Sequence, residues 1–263
     1  MQSLESLTKR LEVDKSKLEA ISPGSFVVYH DEKKKSSHVT LAASGGIISK
    51  EKQRMPQKAL YEFLALRAWN EVLAAYSQSN PLTFRAPKPL GLYGLETGKP
   101  GILMEFIPGY ELKKLCVMKR STPVHMKGQK TPVPLYPACA YHLGALNGIK
   151  EAEGLFHDDY DERHVIFSPI HQPGIGVIDV ENSRFEPSSE LVRAESEKVL
   201  NLFHGKTSSE KDRLALSGWY QQGRESLVVP DSSFRLSAVL ERIAKEYDVD
   251  FDFCNKKING TQL

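Results

Sequence analysis

Apolar positions change their period several times along this chain, and each change marks an element. Residues 3 to 21 place Leu4, Leu7, Leu11, Leu18 and Ile21 near helical spacing. That predicts one amphipathic helix, or two short ones broken near Val13, ended by Ser22-Pro23-Gly24. The runs "SFVVYH", "HVTLAAS" and "GIISK" are rich in β-branched residues and are separated by "DEKKKSS" and by Gly45-Gly46. They predict a three-stranded antiparallel meander. From 56 to 76 the period returns to 3.6, with Pro56 in the first turn and Leu60, Phe63, Leu64, Leu66, Val72 and Leu73 on a broad apolar face. Two strands follow, with a turn at Glu96 to Pro100. Residues 110 to 119 read as a short helix and 120 to 135, with three prolines, as a loop. Residues 136 to 154 read as a long helix stopped by Gly154.

After that helix, "HVIFS" and "GIGVIDVE" are short β runs joined by "PIHQP". Beyond Pro187 the pattern is helical to the end, in three segments over 188–203, 209–223 and 231–247. The first and third carry Ser or Asp at N-cap places. The predicted order is a small strand-rich half with one main helix, a linking strand, and a mainly helical half.

Composition adds little direction. The chain has 263 residues, enough for one large domain or two lobes around a cleft. Its 35 basic and 33 acidic residues leave a net charge of +2, so bulk charge gives no reason to expect nucleic-acid or membrane binding. Cys116, Cys139 and Cys254 are far apart and form no CxxC, which fits a reducing cytoplasm better than a disulfide framework. The charged start is unlike a signal peptide, and no apolar run reaches the ~20 residues of a membrane span.

The chemistry concentrates in "LFHDDYDERHVIF", residues 155 to 167, and in "GIGVIDVE" soon after. The first is a very polar loop clamped between apolar residues, where a helix ends and a short strand begins. Asp159 lies in the loop, His164 at the strand's start and Asp179 at the far end of the hairpin. In a hairpin of this length His164 and Asp179 can face one side, with Asp159 pointing into the same space. One carboxylate for a hydroxyl proton and one ligand for a hard metal are what phosphoryl transfer needs. His157 reads as a structural packing residue. Arg163 can pair with Glu162, Asp161 or a phosphate, and Glu181 can stand beside a metal. His142, Trp69 and Trp219 read as packing residues.

"HDDYDERHVIF…GVIDVE" resembles the catalytic and metal loops of the protein-kinase-like superfamily, in the branch of aminoglycoside phosphotransferases, choline kinases and RIO-type atypical kinases. Those proteins carry H-G-D-x-x-x-x-N before a short apolar strand, then I-D-F or I-D-x-E about fifteen residues later. His157, Asp159 and Asp179 match. "ILMEFIPG" resembles the hinge strand, with Met104 in the gatekeeper place, and "ALYEFLALRAW" resembles the first-lobe helix. The resemblance covers residues 24 to 187.

It implies an α+β, bilobal protein-kinase-like fold. The N-lobe, 23–107, would be a small antiparallel sheet with one main helix, ending in a hinge. The C-lobe, 108–263, would be mostly helical, and 1–22 a helical extension. Implied with it are ATP and Mg2+, and transfer of the γ-phosphoryl group to a hydroxyl on a small molecule or a protein. Asp159 would be the catalytic base and Asp179 a magnesium ligand, with His164 at the second metal position. Lys50, or Lys52, would hold the phosphates, paired with Glu62. Glu105 to Ile107 would offer backbone groups to adenine. Two departures stand out: His164 occupies the family's asparagine position, and "DEKKKSS" has no glycine where a glycine-rich loop would cover the phosphates. Both features also suit a pseudokinase that binds nucleotide without turnover. A metal phosphohydrolase built on His142, His157 and Asp158 is a third reading, against which the β runs speak.

Overall fold

A computed structural model describes residues 26–30, 38–41, 47–51, 56–93, 101–169, 173–185, 189–205, 207, 209–231, 234–252 and 257–259. In chain order the strands and helices are β1 Phe26–His30, β2 His38–Leu41, β3 Ile47–Glu51, α1 Pro56–Ser79, β4 Thr83–Arg85, β5 Pro89–Tyr93, β6 Gly101–Glu105, β7 Tyr110–Glu111, β8 Pro123–Val124, β9 Val133–Pro134, α2 Leu135–Glu153, β10 Leu155–Phe156, β11 Val165–Ser168, β12 Gly174–Val177, β13 Arg184–Phe185, α3 Ser189–His204, α4 Glu210–Glu225, α5 Leu236–Tyr247, β14 Asp250–Asp252 and β15 Lys257–Asn259. The class is α+β. The predicted helix over 3–21, the turn "DEKKKSS" and the turn at 96–100 lie outside the described residues.

Two compact units divide the chain. The first draws on Met1–Ala68, Pro87–Ile107 and Leu240–Leu263. Its centre is a five-stranded sheet in the order β1-β2-β3-β6-β5. Every pairing in it is antiparallel, so the expected meander is present and β6 closes onto β3. The first turns of α1 belong here. Leu60, Phe63, Leu64 and Leu66 are all buried, and Phe63 meets Tyr247 of α5 edge-on at 5.9 Å between ring centres. Arg67 pairs with Glu246 at 3.0 Å.

The second unit draws on Trp69–Ala86 and Pro108–Val239. Its sheet runs β4-β12-β11-β7, with β4 parallel to β12 and the other pairs antiparallel. Helix α2 is its core: Leu135, Ala138, Cys139, Leu143, Leu146 and Ile149 are fully buried. Gly154 ends the helix at φ 68, a left-handed position that glycine adopts without a Cβ clash.

Helices α2 and α4 approach closely because each brings a glycine to the other's backbone. A Cβ at Gly144 would strike the carbonyl of Tyr220, and one at Gly223 would strike the carbonyl of Tyr141. Backbone cannot move aside as a flexible side chain can, so these two positions set the helix spacing.

Several local expectations need correction. The helix expected over 110–119 is instead β7 followed by a 3-10 turn over Leu112–Val117. Tyr110 and Glu111 pair with Phe167 and Ile166, and that ladder takes the backbone an α-helix would have used. The loop expected at 120–135 contains the pair β8–β9 with Val124 and Val133 buried. The chain's end is not all helix, since β14 pairs with β15. Helix α5 starts at Leu236, so Asp231 is not its N-cap. The side-chain cap is on α4, where Ser209 Oγ accepts from the Asp212 N–H at 3.4 Å.

Gly144→Ala or Gly223→Ala is expected to lower the urea midpoint by an amount equivalent to about 1–3 kcal/mol, the usual range for overpacking. Gly218→Ala, where an added methyl meets nothing within 4 Å, is expected to leave stability unchanged or raise it.

Candidate active site

The loop between α2 and β11 owes its shape to the elements at its two ends. Strand β10 pairs with β13, matching Leu155 to Phe185 and Phe156 to Arg184. Val165 of β11 then pairs with Val177 of β12, and the Ile178 N–H donates to the His164 carbonyl at 2.9 Å. His164 is thereby placed beside the Ile178-Asp179 step. Between these anchors Asp158 has φ 67, and Asp179 has φ 61 and ψ 46. Left-handed conformations are uncommon outside glycine, and aspartate is among the residues that tolerate them.

The second unit brings Asp159, His164 and Asp179 together. The carbonyl of Asp159 lies 2.5 Å from His164 Nδ1. A carbonyl only accepts, so Nδ1 carries a proton. The ring's Nε2 stands 3.6 Å from Asp179 Oδ2. Asp159 Oδ2 is 3.9 Å from His164 Nδ1, and the Asp159 side chain is about half exposed. Asp159, Asp161 and His164 also have ligand atoms within 4.8 Å of one another.

Asp161 is held for another purpose. Its Oδ2 accepts from Arg163 Nε at 2.8 Å and from Nη2 at 2.5 Å, and its Oδ1 accepts from the Arg163 N–H at 2.7 Å. Partial burial works against charge on Asp161, but these Arg163 hydrogen bonds and the nearby His164 outweigh it and hold the carboxyl below its usual range. Asp161 is therefore the partner of Arg163 among the alternatives open in the sequence. Arg184 donates to Asp158 at 3.2 Å.

His157 is fully buried. Its ring stacks on His164 at 5.5 Å and meets Trp69 edge-on at 6.3 Å, while its Nε2–H donates to the Ile178 carbonyl at 2.9 Å. Burial drives its pKa down to about 4, with the Ile178 bond opposing and Lys150 and His164 adding to the fall. Trp69 is fixed by its Nε1–H donating to Ser183 Oγ at 2.8 Å. Both are packing residues, as is His142. Burial also takes His142 down to about 4, against hydrogen bonds with the backbone of Ala138 and Pro173.

Sequence reasoning missed the layer beneath this loop. Lys150, at the end of α2, donates to Glu195 of α3 at 2.7 Å, with both side chains buried. Glu195 Oε2 also accepts the His157 N–H at 3.1 Å. Tyr160 is buried, donates to Asn147 Oδ1 at 2.9 Å, and lies under the Lys150 ammonium. A signal was present: Val192, Val199 and Phe203 form a helical apolar stripe in which Glu195 sits as an acid.

The remaining candidates belong to the first unit. Lys50 is on β3, paired with Val39 and Ile102. Glu62 is buried in α1, and Met104 is buried on β6. Glu105 ends β6, its N–H donating to the Lys88 carbonyl at 2.9 Å, and Ile107 is buried two residues on. Lys52 lies outside the described residues.

No protein-family model matches the chain, and no curated protein matches it. Among solved structures it is similar to WaaP in complex with acyl carrier protein, at 16% identity and a TM-score of 0.49, over 89% of this chain and 92% of that one. It is also similar to the bifunctional kinase-methyltransferase WbdD, at 16% identity and a TM-score of 0.40, over 82% of this chain and 48% of that one. The chain thus spans about half of the WbdD chain. Its own elements follow the order expected above, an α+β arrangement with a five-stranded antiparallel sheet and one long helix, then a buried helix, a polar loop, a β hairpin and further helices. Among the described residues no helix is long and apolar enough to cross a membrane.

Because His142 and His157 are held neutral, the unfolded chain binds more protons than the folded one between pH 6.5 and 4. Stability from these groups is complete above pH 6.5 and lost as pH falls through that window. Thermal melts should show the midpoint dropping from pH 6.5 to 4, with a shallower drop for His142→Gln.

Proposed function

We propose that this chain is an ATP- and magnesium-dependent phosphotransferase that moves the γ-phosphoryl group of ATP onto a hydroxyl acceptor, a small molecule or a protein side chain. The observation that carries the reading is the set Asp159–His164–Asp179, in which one imidazole holds the backbone of the first aspartate and faces the carboxylate of the second.

Asp159 has the exposure an acceptor site requires, and its carboxylate can accept the hydrogen bond of the attacking hydroxyl. As the hydroxyl oxygen bonds to the γ-phosphorus, the bond to the β-phosphate oxygen breaks and ADP leaves. The hydroxyl proton passes to an Asp159 carboxylate oxygen and from there to solvent. In this reading His164 serves in two ways: Nδ1–H orients the Asp159 peptide, and Nε2, 3.6 Å from Asp179 Oδ2, joins that carboxylate as a donor pair when the metal is bound. That pair fits a divalent cation, with Asp179 as the oxygen ligand magnesium prefers and His164 as a nitrogen neighbour that tolerates it. Magnesium held there would supply positive charge to the phosphate oxygens.

Lys50 is the phosphate lysine in this reading, and Glu62 its carboxylate partner. Since the Glu105 N–H is already given to Lys88, the adenine donor is assigned to the backbone of Ile107. A nucleotide-binding protein without turnover is the second reading, favoured by the histidine at position 164.

The test is ADP release from ATP and magnesium with a panel of hydroxyl-bearing acceptors. The parent chain should turn over, and Asp159→Ala should lose at least about 100-fold in kcat while still binding nucleotide, the scale of a lost general base. Nucleotide binding without turnover in the parent would leave the second reading standing and remove the first.

A further inference from the structure

Asp159 is flanked by two residues that answer to one buried ion pair. Two positions before it, the N–H of His157 donates to Glu195 Oε2 at 3.1 Å. One position after it, the Tyr160 ring lies 3.1 Å from the Lys150 ammonium, measured to the ring centre. Lys150 and Glu195 bond to each other at 2.7 Å, with side-chain exposures of 0% and 7%. Glu195 Oε1 is buried without a hydrogen-bond partner among the described residues, so Oε2 alone receives both Lys150 and the loop.

We propose that Lys150 and Glu195 are positioning residues for Asp159, clamping the loop on both sides of it so that its carboxylate faces outward in one geometry. The proposal rests on the phosphotransferase reading for its consequence in turnover, and on the contacts alone for its consequence in the loop.

Simple stabilisation is a weak explanation for the pair. Withdrawing two charges from water costs several kcal/mol per ion by the usual estimates, and apolar residues of similar volume often serve as well or better. What an apolar pair cannot do is accept a backbone N–H and place a cation on an aromatic face. Asn147 extends the arrangement: its Oδ1 receives the Tyr160 hydroxyl, and its Nδ2 donates to the Tyr220 hydroxyl at 3.0 Å. The ring under the cation is thus held from its other end. Lys150 is on α2 and Glu195 on α3, so the loop's conformation is referred to two helices rather than to its own flexible residues. Burial draws the Lys150 pKa down to about 8, and Glu195 opposes that fall, so the ammonium is charged at neutral pH.

The test uses the full chain and two readouts, one independent of activity. In the double variant Lys150→Met/Glu195→Met both charges and the acceptor for the loop are gone and no charge is left buried alone. It should melt near the parent, and hydrogen exchange in α2 and α3 should stay close to the parent's. Amides of residues 157–164 should exchange about tenfold faster or more, as expected for a locally loosened segment. Hydrolysis of ATP with magnesium should lose about 100-fold in kcat with KM for ATP unchanged, the size of effect small misplacements produce. Lys150→Met/Glu195→Gln keeps an acceptor oxygen of the same reach with no charge buried alone and should show smaller changes of the same kind, which covers the case of a first double variant that does not fold. Lys150→Arg, which keeps the charge, should recover part of the loop protection.

Unchanged exchange at 157–164 would overturn the proposal, and so would faster exchange spread evenly over the whole unit. A parent without ATP turnover would instead remove the phosphotransferase reading, while the exchange readout would still decide whether the pair holds the loop.

Discussion

The register of one short hairpin governs most of what this chain can do. Val165 lies opposite Val177, and the ladder is continued by the Ile178 N–H to the His164 carbonyl. Side chains alternate along a strand, so a slip of one residue would turn His164 away from Asp179. The register is protected on every side. Val165, Phe167, Ile175 and Val177 are buried, β7 pairs outside β11, and β4 pairs in parallel outside β12. A four-residue ladder is weak alone. Set inside a four-stranded sheet with an apolar face, it becomes a fixed reference for the residues at its ends.

What that reference holds is unusually polar for a buried place. His157, Lys150 and Glu195 are all buried, and they meet through direct hydrogen bonds and ring contacts. Burying such groups is unfavourable unless each finds a partner. Here one carboxylate oxygen, one carbonyl and one aromatic face supply the partners. The exposed carboxylate of Asp159 thus stands on a buried polar foundation, which itself stands on the close helix pair set by Gly144 and Gly223.

Much of this was legible in the sequence, for specific reasons. Long periodic segments gave α1 and α2 nearly to the residue, because fully buried helices show their apolar faces plainly. The loop 155–167 was conspicuous because apolar residues flank a run of charges, and the spacing from His164 to Asp179 sufficed to pair them across a hairpin. Short elements were less visible. Thr83–Arg85 is a strand only because β12 lies beside it, and Tyr110–Glu111 is extended only because β11 takes its hydrogen bonds. Such strands are made by tertiary pairing and have little local signal. Lys150 and Glu195 were missed for a related reason: each looks like a surface charge until its partner, 45 residues away, is brought to it.

The central claim is that this loop and hairpin serve a nucleotide and its metal. Equilibrium binding of ATP, measured calorimetrically with and without magnesium, tests it most directly. The account predicts that magnesium tightens ATP binding to the parent chain and that Asp179→Ala abolishes this effect while the protein stays folded. Absence of binding by either ATP or GTP with magnesium present would contradict it.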